Sequence, residues 1–303
     1  MKAAPNAGET DVADVPVLGF IGLGVMGSRM CANLIRRSGA TVVVYDPVRE
    51  ALDRAIAQGG QPCSDAAGVG RSAEIVFLSL PGIAQVEAVC DQLLAAPQRP
   101  RVVVDMSTSD VARTRLLAGR LRDGGLTLVD APVARLRQAA EDGTLLITVG
   151  AGEEMFAELR PFLSCMGSDI IHAGGIGNGQ VMKIVNNMVL FLTMNALAEA
   201  LAIGRAAGVD GEKLFQTLSM GSADSFALRR TAAATMIPDD FPERAFPTEY
   251  AIKDLALALR LADEAGIAAN AARQTMDLLE RTREAGYGAS YYPVLIKLVD
   301  GRG

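Results

Sequence analysis

VPVLGFIGLGVMGSR, residues 15–29, is a short apolar strand that runs straight into Gly22-x-Gly24-x-x-Gly27 and then into a helix carrying Met30 and Leu34. Strand, glycine turn and helix in that order form the turn that receives a dinucleotide pyrophosphate. Gly22 permits the tight turn, Gly24 removes a side chain where backbone must approach phosphate, and Gly27 lets helix and strand pack closely. Leu23, Val25 and Met26 complete the loop, and the helix N-terminus behind it offers N–H groups and partial positive charge. A second strand, Thr41 to Tyr45, follows the helix and ends in Asp46, nineteen positions after Gly27. An acid at that place accepts hydrogen bonds from the adenosine ribose and repels a 2′-phosphate, so NAD is expected in preference to NADP. Arg49, one helical turn on, softens that preference.

Downstream of Asp46 the βα alternation continues. Val48 to Gln58 is amphipathic; Glu74 to Leu80 is a buried strand closed by Pro81-Gly82; a helix Ile83 to Ala95, a strand Arg101 to Asp105 and a helix Asp110 to Arg122 follow. Strands Thr127 to Val129 and Leu145 to Val149, a helix Glu153 to Leu163 and a last short strand through Ile171 complete the pattern. Near-continuous apolar strands separated by helices predict an α/β fold, a doubly wound parallel sheet covered on both faces, with ligands at the strand carboxyl ends. Those ends carry Leu80-Pro81, Ser107-Thr108 and Asp130-Ala131-Pro132.

Beyond Gly174-Gly175 the alternation stops. Asn178 to Ala207 reads as one long helix, and the rest of the chain reads as helical, interrupted by Pro238, Pro242 and Pro247 before helices Pro247 to Ala265 and Ala268 to Glu284. Lys183, Asn186, Asn187, Asn195 and Glu199 interrupt the long helix, which argues for a buried linking helix and against a membrane span of ~18 uninterrupted apolar residues. The expected organisation is a polar tail over 1–15, disordered by composition, a dinucleotide-binding domain over 16–176, and a long helix with an all-α domain over 177–303.

The net charge of -6 and the absence of a basic run argue against nucleic acid or an anionic membrane as partner. Half the residues are apolar, enough for large cores without staples. Cys31, Cys63, Cys90 and Cys165 form no CxxC pair and read as reduced core thiols in a cytosolic protein. The tail lacks the features of a signal or transit peptide. The apolar surface of the long helix predicts a homodimer or homotetramer.

His172 is the single histidine, so a Ser-His-Asp triad or a histidine-rich metal site is not expected, and none of the chain's residues is assigned to a metal. Its place at a strand end reads as structural. A lysine is then the candidate proton carrier, provided burial lowers its pKa. Lys183 stands near the start of an otherwise apolar helix, and Asn187 lies one turn on along the same face, within reach of the lysine or of a substrate oxygen. The bland alternative is a lysine whose ammonium snorkels to solvent at a helix end.

Together these motifs carry a resemblance. Gly22-Leu23-Gly24-Val25-Met26-Gly27, Asp130-Ala131-Pro132-Val133, Gly177-x-Gly179-x-x-x-Lys183-x-x-x-Asn187 and Lys253-Asp254 stand in the order seen in the β-hydroxyacid dehydrogenases, the family of 3-hydroxyisobutyrate dehydrogenase, and the likeness spans Val15 to Val299. It implies a Rossmann domain, an interdomain helix, an all-α C-terminal domain and an active-site cleft between the domains. It further implies Lys183 as catalytic acid/base, Asn187 as a substrate contact, and Leu80, Pro81, Thr108 and Lys253 as cofactor contacts. One motif departs: where most members continue Pro-Val with Ser-Gly-Gly, this chain has Ala134-Arg135-Leu136, as if to offer a charged planar anchor for carboxylate or sulfonate. The branch that resembles sulfolactaldehyde reductases also has arginine in this turn, with Gly before it and Thr after it, so Ala134 and Leu136 leave that match, and with it a likeness to the sulfolactaldehyde/succinic semialdehyde reductase-like branch, incomplete. The implied substrate is a short anionic β- or γ-hydroxy acid, or hydroxy sulfonate, exchanged with its semialdehyde or ketone. The rival readings are 3-hydroxyisobutyrate dehydrogenase proper, a non-catalytic NAD-binding sensor or scaffold, and an imine reductase; the last two are disfavoured by the presence of Lys183.

Overall fold

The computed structural model describes residues 15–301 with the exception of Arg244, so the tail expected over 1–15 falls, but for Val15, outside the described residues. The chain forms two compact units. One runs up to Ser107 and resumes over Ala112–Gly179; the other comprises Thr108–Val111 and the chain from Gln180 onward.

The first unit is built on strands β1 (Leu18–Ile21), β2 (Val42–Tyr45), β3 (Gln61–Pro62), β4 (Ile75–Leu78), β5 (Val102–Asp105), β6 (Thr127–Asp130), β7 (Val133–Ala134), β8 (Leu145–Gly150) and β9 (Gly167–Gly174). The sheet order is β3-β2-β1-β4-β5-β6-β8-β7, with β9 beside β8. Its helices are α1 (Gly27–Arg37), α2 (Arg49–Ala57), α3 (Ala66–Ser72), α4 (Ile83–Ala95), α5 (Val111–Asp123), α6 (Arg137–Asp142) and α7 (Glu153–Leu163). Successive residues of a strand point to opposite faces, and the central strands are apolar on both. Leu18, Phe20, Val42, Val44, Ile75 and Phe77 pack into one core, while Ile21, Val43, Val76, Leu78 and Val103 pack into the other.

The sheet is parallel over most of its width, as expected, with one antiparallel element. From β3 through β6 every pairing is parallel, but β8 runs antiparallel to both β6 and β7, and β9 is parallel to β8. A parallel return requires a crossover of a dozen or more residues, and the connection from Ala134 to Leu145 is shorter than that. The last strand is also longer than expected, running through His172 to Gly174. Here His172 Nε2 lies 2.7 Å from the Ala151 carbonyl oxygen and the ring stacks on Phe156, a structural setting.

The second unit is helical. It holds the body of α8 (Asn178–Ala206), then α9 (Gly211–Met220), a π-helical turn Leu228–Ala232 running into α10 (Ala233–Thr235), α11 (Thr248–Glu264), α12 (Asn270–Thr282) and a 3₁₀ turn Tyr292–Leu295 leading into α13 (Ile296–Val299). Phe191 from α8 meets Tyr292 edge-on at 5.2 Å and lies 6.2 Å from Phe246, at the middle of a core with Leu255, Leu279 and Ile296. By length and composition α8 is apolar enough to cross a membrane. Its polar side chains bond to neighbouring helices of the same unit, however: Asn187 to Asp254 at 2.7 Å and Asn195 to Thr275 at 3.4 Å.

Candidate active site

In the first unit, β1 delivers the chain into the glycine loop. Gly22 takes φ +95°, and a Cβ there would overlap the Ser79 carbonyl oxygen; a Cβ at Gly27 would overlap the carbonyl of Gly22. Both positions therefore demand glycine for folding. Gly24 differs, since nothing lies within 4 Å of where its Cβ would be. Glycine is not needed there by the protein's own packing, and the open space is what a pyrophosphate requires. Met26 at the N-cap of α1 supplies no side-chain cap and the first turn contains no acid, so no side chain of that turn answers the positive helix end. These residues fit a bound dinucleotide, which supplies the hydride carrier.

Asp46 follows β2 directly. Its Oδ2 accepts a hydrogen bond from Leu23 N at 2.6 Å and its Oδ1 one from Val48 N at 2.8 Å. The carboxylate thus fastens the glycine loop to the end of β2 while each oxygen retains a lone pair for a ribose hydroxyl. Arg49, expected to soften cofactor choice, pairs with Asp53 at 2.9 Å. The Leu80-Pro81 turn is held from β5: Leu80 N donates to Ser107 Oγ at 2.9 Å, and Ser107 N donates to Oδ1 of the buried Asp105 at 2.9 Å. Thr108 falls in the second unit and is half-buried. Beside it, Ser109 N donates to Gln180 Oε1 and Asp110 pairs with Arg260 at 2.7 Å.

Arg135 stands in the turn after β7. It has φ +84°, a left-handed backbone unusual outside glycine. Its guanidinium donates to the Thr144 carbonyl oxygen at 2.6 Å and to Ser168 Oγ at 3.1 Å, and pairs with Asp169 at 2.7 Å. Its two terminal nitrogens thus reach the residue before β8 and the start of β9. Ala134, by contrast, is buried and pairs with Leu146 across the ladder.

In the second unit the helical spacing brings Lys183 and Asn187 together: Lys183 Nζ donates to Asn187 Oδ1 at 3.1 Å. Asn187 Nδ2 in turn donates to Asp254 Oδ2 at 2.7 Å. The amide orientation is fixed by its partners, because an ammonium only donates and a carboxylate only accepts. One N–H of Asn187 is left for another acceptor. Asp254 is 3% exposed, and its Oδ1 has Lys253 Nζ at 3.3 Å. Lys253 Nζ also lies 5.8 Å from the centre of the Tyr250 ring. Desolvation holds the Lys183 ammonium below the ordinary lysine range; Asp254 opposes this shift and Lys253 reinforces it. A lysine lowered in this way and hydrogen-bonded to a buried Asn–Asp pair is a candidate for proton exchange. Asp254 is the member that sequence reasoning passed over. Its signal was present, since it follows Lys253 in the motif, but nothing in sequence spacing links it to Asn187.

Comparison with known proteins agrees with this anatomy. The profile for the NAD binding domain of 6-phosphogluconate dehydrogenase matches residues 17–175, and the profile described as NAD-binding of NADP-dependent 3-hydroxyisobutyrate dehydrogenase matches residues 177–299. A 2-(hydroxymethyl)glutarate dehydrogenase from Eubacterium barkeri is 35% identical over 93% of this chain and 94% of its own. The chain belongs to the β-hydroxyacid dehydrogenase family. It is accordingly an NAD(P)-dependent oxidoreductase acting on a CH–OH group. A 3-hydroxyisobutyrate dehydrogenase from Pseudomonas aeruginosa is 39% identical over 72% of each chain. The solved structure of 3-hydroxyisobutyrate dehydrogenase from Mycobacterium tuberculosis with L-serine has a TM-score of 0.87 at 28% identity, covering 94% of this chain and 99% of that one.

Proposed function

We propose that this enzyme interconverts a short β-hydroxy acid, HO–CH2–CH(R)–COO⁻, with its semialdehyde, Lys183 serving as the general acid/base. The observation that carries the reading is the Lys183–Asn187–Asp254 chain, with the ammonium desolvated and steadied by a buried carboxylate. The three compounds named for the relatives, 2-(hydroxymethyl)glutarate, 3-hydroxyisobutyrate and L-serine, share that skeleton and differ only in R. In the oxidative direction neutral Lys183 accepts the hydroxyl proton as the carbinol carbon gives up its hydride, which NAD takes when bound. The remaining N–H of Asn187 holds the substrate oxygen, and Asp254 stabilises the ammonium that forms. Gly22–Gly27 would hold the cofactor's pyrophosphate and Asp46 its adenosine ribose, with Leu80, Pro81, Thr108 and Lys253 as its further contacts. The substrate carboxylate meets the main chain of the Ala134-Arg135-Leu136 turn, which the Arg135 guanidinium braces against Asp169.

A panel of 3-hydroxyisobutyrate, L-serine, 2-(hydroxymethyl)glutarate, a γ-hydroxy acid, a hydroxy sulfonate and an uncharged alcohol of similar size tests the reading, followed by absorbance of reduced nicotinamide with NAD and with NADP. The highest kcat/KM is expected for a β-hydroxy acid with NAD. Preference for the uncharged alcohol, or no turnover across the panel, contradicts it.

A further inference from the structure

Asp130 closes β6 with a carboxyl group that is fully buried, a costly place for such a group unless it is bonded. Its Oδ1 accepts from Gly177 N at 2.6 Å, immediately before α8 begins. Two glycines fit around the same side chain. At Gly150, its partner across the β6–β8 ladder, a Cβ would overlap Asp130 Oδ1; at Gly179 a Cβ would stand 2.8 Å from Asp130 Oδ2 and collide with the Thr148 carbonyl. Thr148 Oγ1 adds a bond to the Gly179 carbonyl at 3.0 Å. Arg115, from Nε to the Ile176 carbonyl and from its terminal nitrogen to Asn178 Oδ1, closes the other side of the turn. The Gly177-x-Gly179 part of the motif is thereby explained without reference to any ligand: Gly177 supplies φ +85° and Gly179 clears room for Asp130 and Thr148.

The geometry points to Asp130 as a positioning residue that seats the first turn of α8 and through that helix sets the placement of Lys183. From Asn178 to Lys183 the helix is continuous and rises ~1.5 Å per residue, so a shift of its first turn is delivered to the lysine almost undiminished. Misplacement of a reacting group by ~1 Å costs up to about a hundredfold in rate. The inference rests on Lys183 being the acid/base.

The test compares Asp130→Ala, Asp130→Asn, Thr148→Val and Lys183→Ala as full-length, NAD-saturated enzymes on the best substrate. Asp130→Ala should lower kcat by about tenfold or more and move the midpoint of the Lys183-dependent limb of the pH profile, with NAD affinity unchanged. Asp130→Asn keeps an acceptor oxygen for Gly177 N–H and should recover most of kcat. Thr148→Val removes only the hydroxyl bond to Gly179 and should show a smaller change of the same kind, which keeps the inference testable if Asp130→Ala does not fold. Wild-type kcat and pH midpoint in the soluble variants, or an Asp130→Ala that loses only thermal stability, would overturn it. If Lys183→Ala itself retains turnover, the acid/base reading fails, a result distinguishable from failure of the Asp130 role alone.

Discussion

Lys183 and Asp46 carry the largest expected effects of single side chains. Lys183→Ala should lower kcat by about 10²-fold or more, the usual scale of general acid/base catalysis, with NAD affinity little changed in a binding titration. Asp254→Asn removes the charge that favours the ammonium, so the Lys183 pKa should fall further and the corresponding limb of the pH profile move to lower pH; a limb that moves upward contradicts the linkage drawn through Asn187. Asp46→Ser should shift the ratio of catalytic efficiencies toward NADP, and a wild-type enzyme that already prefers NADP would remove Asp46 from that role. Lys183 and Asn187 were legible because helical spacing puts them on one face. Asp254, 67 residues from Asn187, was not, since only packing of α11 against α8 makes it a partner. Arg135 shows another limit: its contacts to Ser168 and Asp169, 33 and 34 positions away, could not be read from residue type.

At the level of elements, the glycine loop separates folding from binding. Gly27→Ala forces a Cβ into the Gly22 carbonyl and should destabilise the protein by about 1–3 kcal/mol, read from denaturant unfolding. Gly24→Ala has open space and should leave stability unchanged while weakening NAD binding about tenfold or more, since a lost pyrophosphate contact of ~1.4 kcal/mol is tenfold. Equal effects of the two substitutions on stability would contradict this division. Arg135→Gly should suit the left-handed turn and cost the exposed ion pair to Asp169 with the hydrogen bonds to Thr144 and Ser168, ~1–2 kcal/mol in stability, with KM raised less than about fivefold. A larger rise would return Arg135 to direct substrate contact. Central strands and long helices were readable from apolar runs and period. The short elements α3, α6 and β3 were not, because seven residues or fewer give period too little room to show, and the antiparallel turn at β8 depends on connection length, which an apolar run does not encode.

For the whole molecule, burial pushes the Cys31 thiol up to about 12 and the Cys90 thiol higher, so neither should react with a thiol reagent before unfolding. α8 carries exposed Met182, Val185, Val189 and Ile203, and sedimentation is expected to give two or four times 31.8 kDa; a monomer contradicts this. The central claim, proton transfer by a desolvated Lys183 coupled to NAD-linked hydride transfer, is tested most directly by the pH dependence of kcat measured in both directions on one substrate pair. Oxidation requires the neutral amine and reduction the ammonium, so the account predicts an oxidative rate that rises and a reductive rate that falls with pH through one shared midpoint below the ordinary lysine value of 10.5. Parallel pH dependence in the two directions, or limbs that persist unchanged in Lys183→Ala, would contradict it.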